Sequence, residues 1–275
     1  MSTARENLKS ARRIVVKVGT STLAHADTGK LNLYRIEHLI RELADLHNAG
    51  REIIFVSSGA IAAGMDKLGV KKKPETIPEN QALAAIGQGV LMHIYEKFFA
   101  EYGQTMAQLL LTKENAADAH ARENSRNALT AILDMGAIPV INENDAVAVD
   151  EIRIGDNDNL SAIVAALIDA EVLIILSDID GLFDGNPKVD KNARLIDEVP
   201  EINSAIEKMA GGAGTKLGTG GMFTKVQAAK FATANGVTML IVNGATVGNL
   251  RRALSGENVG TIFSATKNLF PRSNP

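Results

Sequence analysis

The chain has 275 residues, 45% hydrophobic and 22% charged, which suffices for one large α/β domain or two small ones and argues against global disorder. A net charge of −3 and a pI near 6.0 leave no electrostatic footprint for nucleic acid, and 4% aromatics with no tryptophan supply few stacking platforms for single strands. Cysteine is absent, so disulfide scaffolds, thiolate metal sites and thiol nucleophiles are excluded.

The opening stretch "MSTARENLKSARR" lacks the apolar centre of a secretory signal, and no run approaches the ~20 apolar residues that span a bilayer. A cytoplasmic protein without membrane contact is expected. "RRIVVKVG" is a β-branched run closed by Gly19 and reads as a buried strand with Lys17 near its end. From Asn32 a helix follows, with Leu33, Ile36, Leu39, Ile40, Leu43 and Leu46 at helical spacing, Asn32 as cap and Gly50 as stop. "EIIFVSSG" repeats the strand-then-glycine pattern. Next come a long helix over 80–102, strand "TMAQLLL", a helix from Ala121 to Met135 and strand "AIPVIN". A helix starting between Asp156 and Asn159, strand "EVLIILSDIDG", helix 222–235, strand "VTMLIVN", a short helix over 249–255 and "GTIF" complete the order.

Apolar strands alternating with amphipathic helices predict an α/β fold with a mostly parallel sheet covered on both faces. Ligands of such sheets collect at the carboxyl ends of the strands. Those ends begin at Lys17, Ser57, Asn142 and Ser177, and each switches from Val, Ile or Leu to small, polar or charged residues. They are expected to converge on one site, with Ser57 and Ser58 as ligand-binding hydroxyls.

Neither a P-loop nor a complete dinucleotide fingerprint is present. Instead "GTGGMFTK", 218–225, sets glycines before a helix, where free N–H groups and the positive helix end attract anions, with Lys225 one turn in. "KVGTST" offers a similar combination after the first strand. Together they point to a polyphosphate ligand. The stretch 141–159 holds six acids, four asparagines and one arginine. Asp156, Asp158 or Asn159 could cap the following helix, but one cap suffices. The surplus suits an ammonium-bearing substrate, an orienting contact to a lysine, or Mg²⁺ with oxygen ligands. The five histidines form no zinc motif and no close pair, and "VSSGA" is not a serine-hydrolase elbow. Lysines converging on phosphate without a histidine base suggest phosphoryl transfer to a nucleophile already ionised, such as a carboxylate.

The motifs "VVKVGTSTL", "VSSGAIAAG", "PVINENDAVA", "GDNDNLSA" and "LGTGGMFTK", in this order, closely resemble those of the glutamate 5-kinase family within the amino acid kinase superfamily. The resemblance implies a single domain, an α/β/α sandwich in which residues 1–170 bind glutamate and 171–275 bind ATP. It also implies ATP-dependent phosphorylation of the γ-carboxylate of L-glutamate, the first step of proline biosynthesis, with Mg²⁺ arriving on ATP. By motif match Ser58, Asp145 and Asn157 are the glutamate-binding positions. Lys17 and Lys225 neutralise the transferring phosphoryl group and Asp158 holds the lysines. Lys17, Ser177 and Asp178, with Thr219, Gly220, Gly221, Met222, Phe223, Thr224 and Lys225, are the nucleotide-contacting positions. The Phe223 side chain is expected to pack rather than touch substrate. Many family members carry a C-terminal PUA domain, and the form expected here lacks it. Feedback inhibition by proline and homo-oligomerisation are further family expectations. Two competing readings are a sister kinase acting on acetylglutamate, aspartate, carbamate or a nucleoside monophosphate, and a silent amino-acid sensor, which would have no chemical need for Lys17, Asp158 and Lys225 together.

Overall fold

Short β-branched runs build the sheet. The computed structural model describes residues 3–112, 118–147, 157–187, 189–211 and 221–265. Its strands are β1 (Arg13–Val18), β2 (Glu52–Ser57), β3 (Met106–Leu111), β4 (Ile138–Glu143), β5 (Val172–Ser177), β6 (Glu198–Val199), β7 (Thr238–Asn243) and β8 (Thr261–Phe263). They form one sheet in the order β3-β4-β2-β1-β5-β7-β8-β6. All neighbours run parallel except β7 and β8. The central strand β1 sets Lys17 beside Val56 of β2 and Ile175 of β5, so the ends of β1, β2 and β5 open on the same edge.

The helices are α1 (Thr3–Asn7), α2 (Thr20–Leu23), α3 (Leu33–Asn48), α4 (Ala60–Leu68), α5 (Ile77–Glu101), α6 (Ala119–Asp134), α7 (Asn157–Leu167), α8 (Ser204–Gly211), α9 (Met222–Ala234) and α10 (Asn249–Leu254). Alternation along β1 sends Ile14, Val16 and Val18 into a layer shared with α3, α5 and α10, and Val15 into a layer shared with α6, α7 and α9. Burial on both faces is why the strands read as continuous apolar runs instead of alternating ones. The result is the expected α/β/α sandwich.

Local signals worked where a cap or a stop was written into the sequence. Asn32 accepts from the Arg35 N–H at 3.0 Å, and Gly50 takes a positive φ of 86° after α3. The long helix begins at Ile77, three residues before the expected start, because Pro78 fits its first turn. Helix α6 likewise starts at Ala119, capped by Asp118, which accepts from the Ala121 N–H at 2.8 Å. Helix α4 was not foreseen. It crosses α5 so closely that a Cβ on Gly64 would lie 2.0 Å from the Leu83 carbonyl oxygen, and one on Gly87 would lie 1.7 Å from that of Ala60.

Candidate active site

Three charges meet at the centre of the sheet edge. Lys17, near the end of β1, donates to Asp158 Oδ1 at 2.7 Å, and Lys225, one turn into α9, donates to Asp158 Oδ2 at 3.0 Å. Asp158 is 0% exposed and each lysine 6%. Burial alone would push the Asp158 carboxyl up, but the charges and hydrogen bonds of Lys17 and Lys225 overcome it and hold the group well below the usual carboxylate range. Asp158 is therefore a fixed anion at any physiological pH. Its carboxylate oxygens take up the two lysines, the orienting contact that the sequence allowed. The Thr224 hydroxyl lies 3.1 Å from Asp158 Oδ2 and 2.7 Å from the Gly221 carbonyl, which ties the start of α9 to the same anion.

Beside this cluster, Asn157 joins the ends of β2 and β4. Its Nδ2 donates to the Ser57 carbonyl at 2.7 Å and to Asn142 Oδ1 at 2.7 Å, and lies 3.1 Å from Ser58 Oγ. Asn142 in turn donates to Gln88 of α5 at 2.8 Å. The Ser57 hydroxyl is 2.8 Å from that of Tyr95, whose ring meets Phe55 edge-on with centroids 5.2 Å apart. Ser57 is thus a structural hydroxyl, contrary to the expectation that both serines face a ligand: an inward side chain on the last position of a buried strand is taken up by the helix packed over it. Ser58, one residue further, stands against Asn157.

Glu143, the last residue of β4, and Asp145, two residues on, are both buried. Burial first, and then the Glu143 charge, push the Asp145 carboxyl up to about 6 against the pull of Lys73. Among the described residues, no group of three or more His, Asp or Glu side chains is placed to hold a metal ion.

The structure brings Lys17, Ser58, Asn157, Asp158 and Lys225 together, with Asp145 on the segment following Asn142. Ser177 and Asp178 stand at the end of β5, next to β1, with the serine hydroxyl 3.2 Å from the Asp178 carboxylate. Gly221, Met222 and Thr224 open α9. Thr219 and Gly220, as well as Asp156, lie outside the described residues. Phe223 is 45% exposed, with its ring beside Gly211. Helix α9 buries the face carrying Lys225, Val226, Ala228 and Ala229, and position 223 falls on the opposite side with Phe231. Tyr95 and Gln88 were missed as site neighbours, because they sit in a long helix whose apolar face explained them equally well.

Residues 12–243 match the Amino acid kinase family. The glutamate 5-kinase of Clostridium acetobutylicum is 56% identical over 263 residues, which span 96% of this chain and 98% of that protein. The chain belongs to the amino acid kinase family, in its glutamate 5-kinase branch. The glutamate 5-kinase of Carboxydothermus hydrogenoformans is also 56% identical over 263 residues, which span 96% of this chain but 70% of that protein. Among solved structures, UMP kinase from Ureaplasma parvum superposes with a TM-score of 0.63 at 15% identity, covering 92% of this chain and 99% of that one. An isopentenyl phosphate kinase gives 0.60 at 20% identity, covering 92% and 100%. At these identities the likeness is one of fold. Different acceptors are thus served on one amino acid kinase scaffold.

Proposed function

We propose that this kinase transfers the γ-phosphoryl group of ATP to the γ-carboxylate of L-glutamate, forming glutamyl 5-phosphate for proline biosynthesis. The observation that carries the chemistry is the buried Lys17–Asp158–Lys225 cluster at the strand ends, and the substrate follows from the family. A carboxylate oxygen attacks phosphorus, the bond to the bridging β,γ-oxygen breaks, and its electron pair leaves with ADP. No proton has to be removed from the acceptor at neutral pH, so a general base is not needed. The difficulty is that anion meets anion. Lys17 and Lys225 supply cationic neutralisation, and Asp158 fixes their positions before ligand arrives, so little reorganisation is required in the transition state. Mg²⁺ would be brought by the nucleotide phosphates and would add charge neutralisation there.

Ser58, Asp145 and Asn157 form the glutamate side of this proposal. Ser177, Asp178 and residues 219–225 form the nucleotide side, with the division near residue 170. On family likeness alone we extend the proposal to cytoplasmic location, self-association and inhibition by proline. Sedimentation velocity and a proline titration of the activity test the last two. No helix among the described residues is long and apolar enough to cross a membrane. The deciding experiment is ATP turnover with Mg²⁺ and L-glutamate, trapping the acyl phosphate as hydroxamate, with aspartate and N-acetylglutamate in parallel. Hydroxamate with glutamate is expected; product only with another acceptor would reassign the substrate.

A further inference from the structure

Around the ends of β2 and β4, the buried polar atoms without hydrogen-bond partners are mostly acceptors: both carboxylate oxygens of Glu143, Oδ1 of Asp145 and Oδ1 of Asn157, with Gln88 Nε2 a donor beside them. Glu143 is the extreme case. It is 2% exposed, it closes β4 opposite Leu111, and neither carboxylate oxygen has a hydrogen-bond partner among the described residues. A buried carboxylate in this position is strongly destabilising unless a cation or several donors reach it. Asp145, two residues on, faces the same deficit, and Lys73 is the cation that acts on it. Both Glu143 oxygens and Asp145 Oδ1 thus lack a hydrogen-bond donor.

We propose that Glu143 is a specificity-determining residue of the acceptor pocket, forming with Asp145 a seat for one ammonium group, so that a free α-amino acid is accepted and its N-acylated counterpart is not. The inference rests on the reading of this pocket as the glutamate site. An ammonium group brings one positive charge and three N–H donors, matching in number the three carboxylate oxygens left unpartnered. An acylated nitrogen brings no charge and a single donor, and would leave two buried anions facing each other. Asp145 alone would give a weaker discrimination, because Lys73 already answers part of its charge. Glu143 makes the seat anionic overall.

Glu143→Gln keeps the shape and removes the charge. Thermal unfolding is measured without ligand and with L-glutamate, and hydroxamate kinetics with L-glutamate and N-acetyl-L-glutamate. We expect the ligand-free variant to melt at or above the wild-type temperature, because an unpaired buried charge is gone. The upward shift produced by glutamate falls by more than half, and KM for glutamate rises at least tenfold while kcat stays within threefold. The preference for glutamate over acetylglutamate shrinks in proportion. A variant with wild-type KM and wild-type ligand shift would overturn the proposal and leave Glu143 as a carboxylate hydrated by buried water. A lower ligand-free melting temperature would overturn it too, since Glu143 would then have a structural partner. Glu143→Asp, which keeps the charge, is expected to retain the preference for glutamate, and loss of that preference would count equally against the seat. Wild-type protein that forms no hydroxamate with glutamate would instead refute the functional reading, whatever the variants do.

Discussion

Replacing Asp158 with asparagine removes the one anion that holds Lys17 and Lys225. The carboxylate meets the two ammonium groups at 2.7 and 3.0 Å, itself 0% exposed and the lysine side chains 7%. In the variant, one of the two contacts sets an amide N–H₂ against an ammonium, donor facing donor. The remaining cations, roughly 6–8 Å apart across the side chain, repel by about 2–3 kcal/mol at an effective dielectric near 20. Removing one partner from a buried ionic group costs about 3–5 kcal/mol in total, which corresponds to roughly 6–20 °C in melting temperature for a chain of this size. The assay is thermal unfolding at pH 7.5, paired with kcat from the hydroxamate reaction, where misplaced lysines should lower the rate by about 10²–10³. Because the Asp158 carboxyl is held below its ordinary range, its contribution to stability is fully present above about pH 4 and is lost only as pH falls through the lower folded value. A variant that melts within about 2 °C of wild type and keeps more than a tenth of kcat, against these magnitudes, would refute the view that Asp158 organises the lysines. So would a wild-type kcat that rises tenfold per pH unit through neutrality, because that is the signature of a general base.

Lys225→Ala should lower kcat by about 10² or more with little change in glutamate affinity, read by steady-state kinetics beside calorimetric titration of glutamate. Asp145→Ala should chiefly raise the glutamate KM, and the reverse pattern would show the two roles exchanged. With Asp145 titrating at about 6 between Glu143 and Lys73, the wild-type KM should climb as pH falls below that value, because the protonated acid no longer attracts an ammonium group. The same raised pKa means the ligand-free fold binds this proton more tightly than the unfolded chain. Its contribution to stability therefore falls as pH rises from about 4 to about 6 and is level above, measurable as melting temperature against pH. Gly87→Ala should destabilise by about 3 kcal/mol or more, since its Cβ would stand 1.7 Å from the Ala60 carbonyl oxygen; a melt within a degree of wild type would contradict this.

Strands were legible because burial on both sides leaves Val, Ile and Leu without interruption, as in β1, β2 and β5. The site was legible where those runs stop, since only a ligand or a turn asks for Gly, Ser, Asn and Lys after so much apolar sequence. What stayed hidden depended on tertiary neighbours. The Ser57 hydroxyl could not be assigned to Tyr95, 38 residues away, from pattern alone. Nor could Asp158 be separated from a cap before Lys17, 141 positions earlier, was placed against it. The sheet's last pairing, β8 antiparallel to β7 and parallel to β6, escaped because short edge strands carry too few residues to show a period. Helix α4 escaped because alanines and glycine do not outline an apolar stripe, although they are what the crossing with α5 demands.

That crossing has a mechanical consequence. Side chains between helices normally act as a compliant layer that can change rotamer and let one helix slide past the other, whereas here backbone rests on backbone. Gln88 follows directly on Gly87, and Tyr95 lies two turns further along the same rod. Their contacts with Asn142 and Ser57 are thereby referenced to the end of β2 through an almost incompressible joint. On the proposed assignment of this wall to the acceptor, the site is a template of fixed dimensions. An acceptor one methylene shorter than glutamate would have to leave a gap at the phosphoryl group, since this wall cannot move in to follow it.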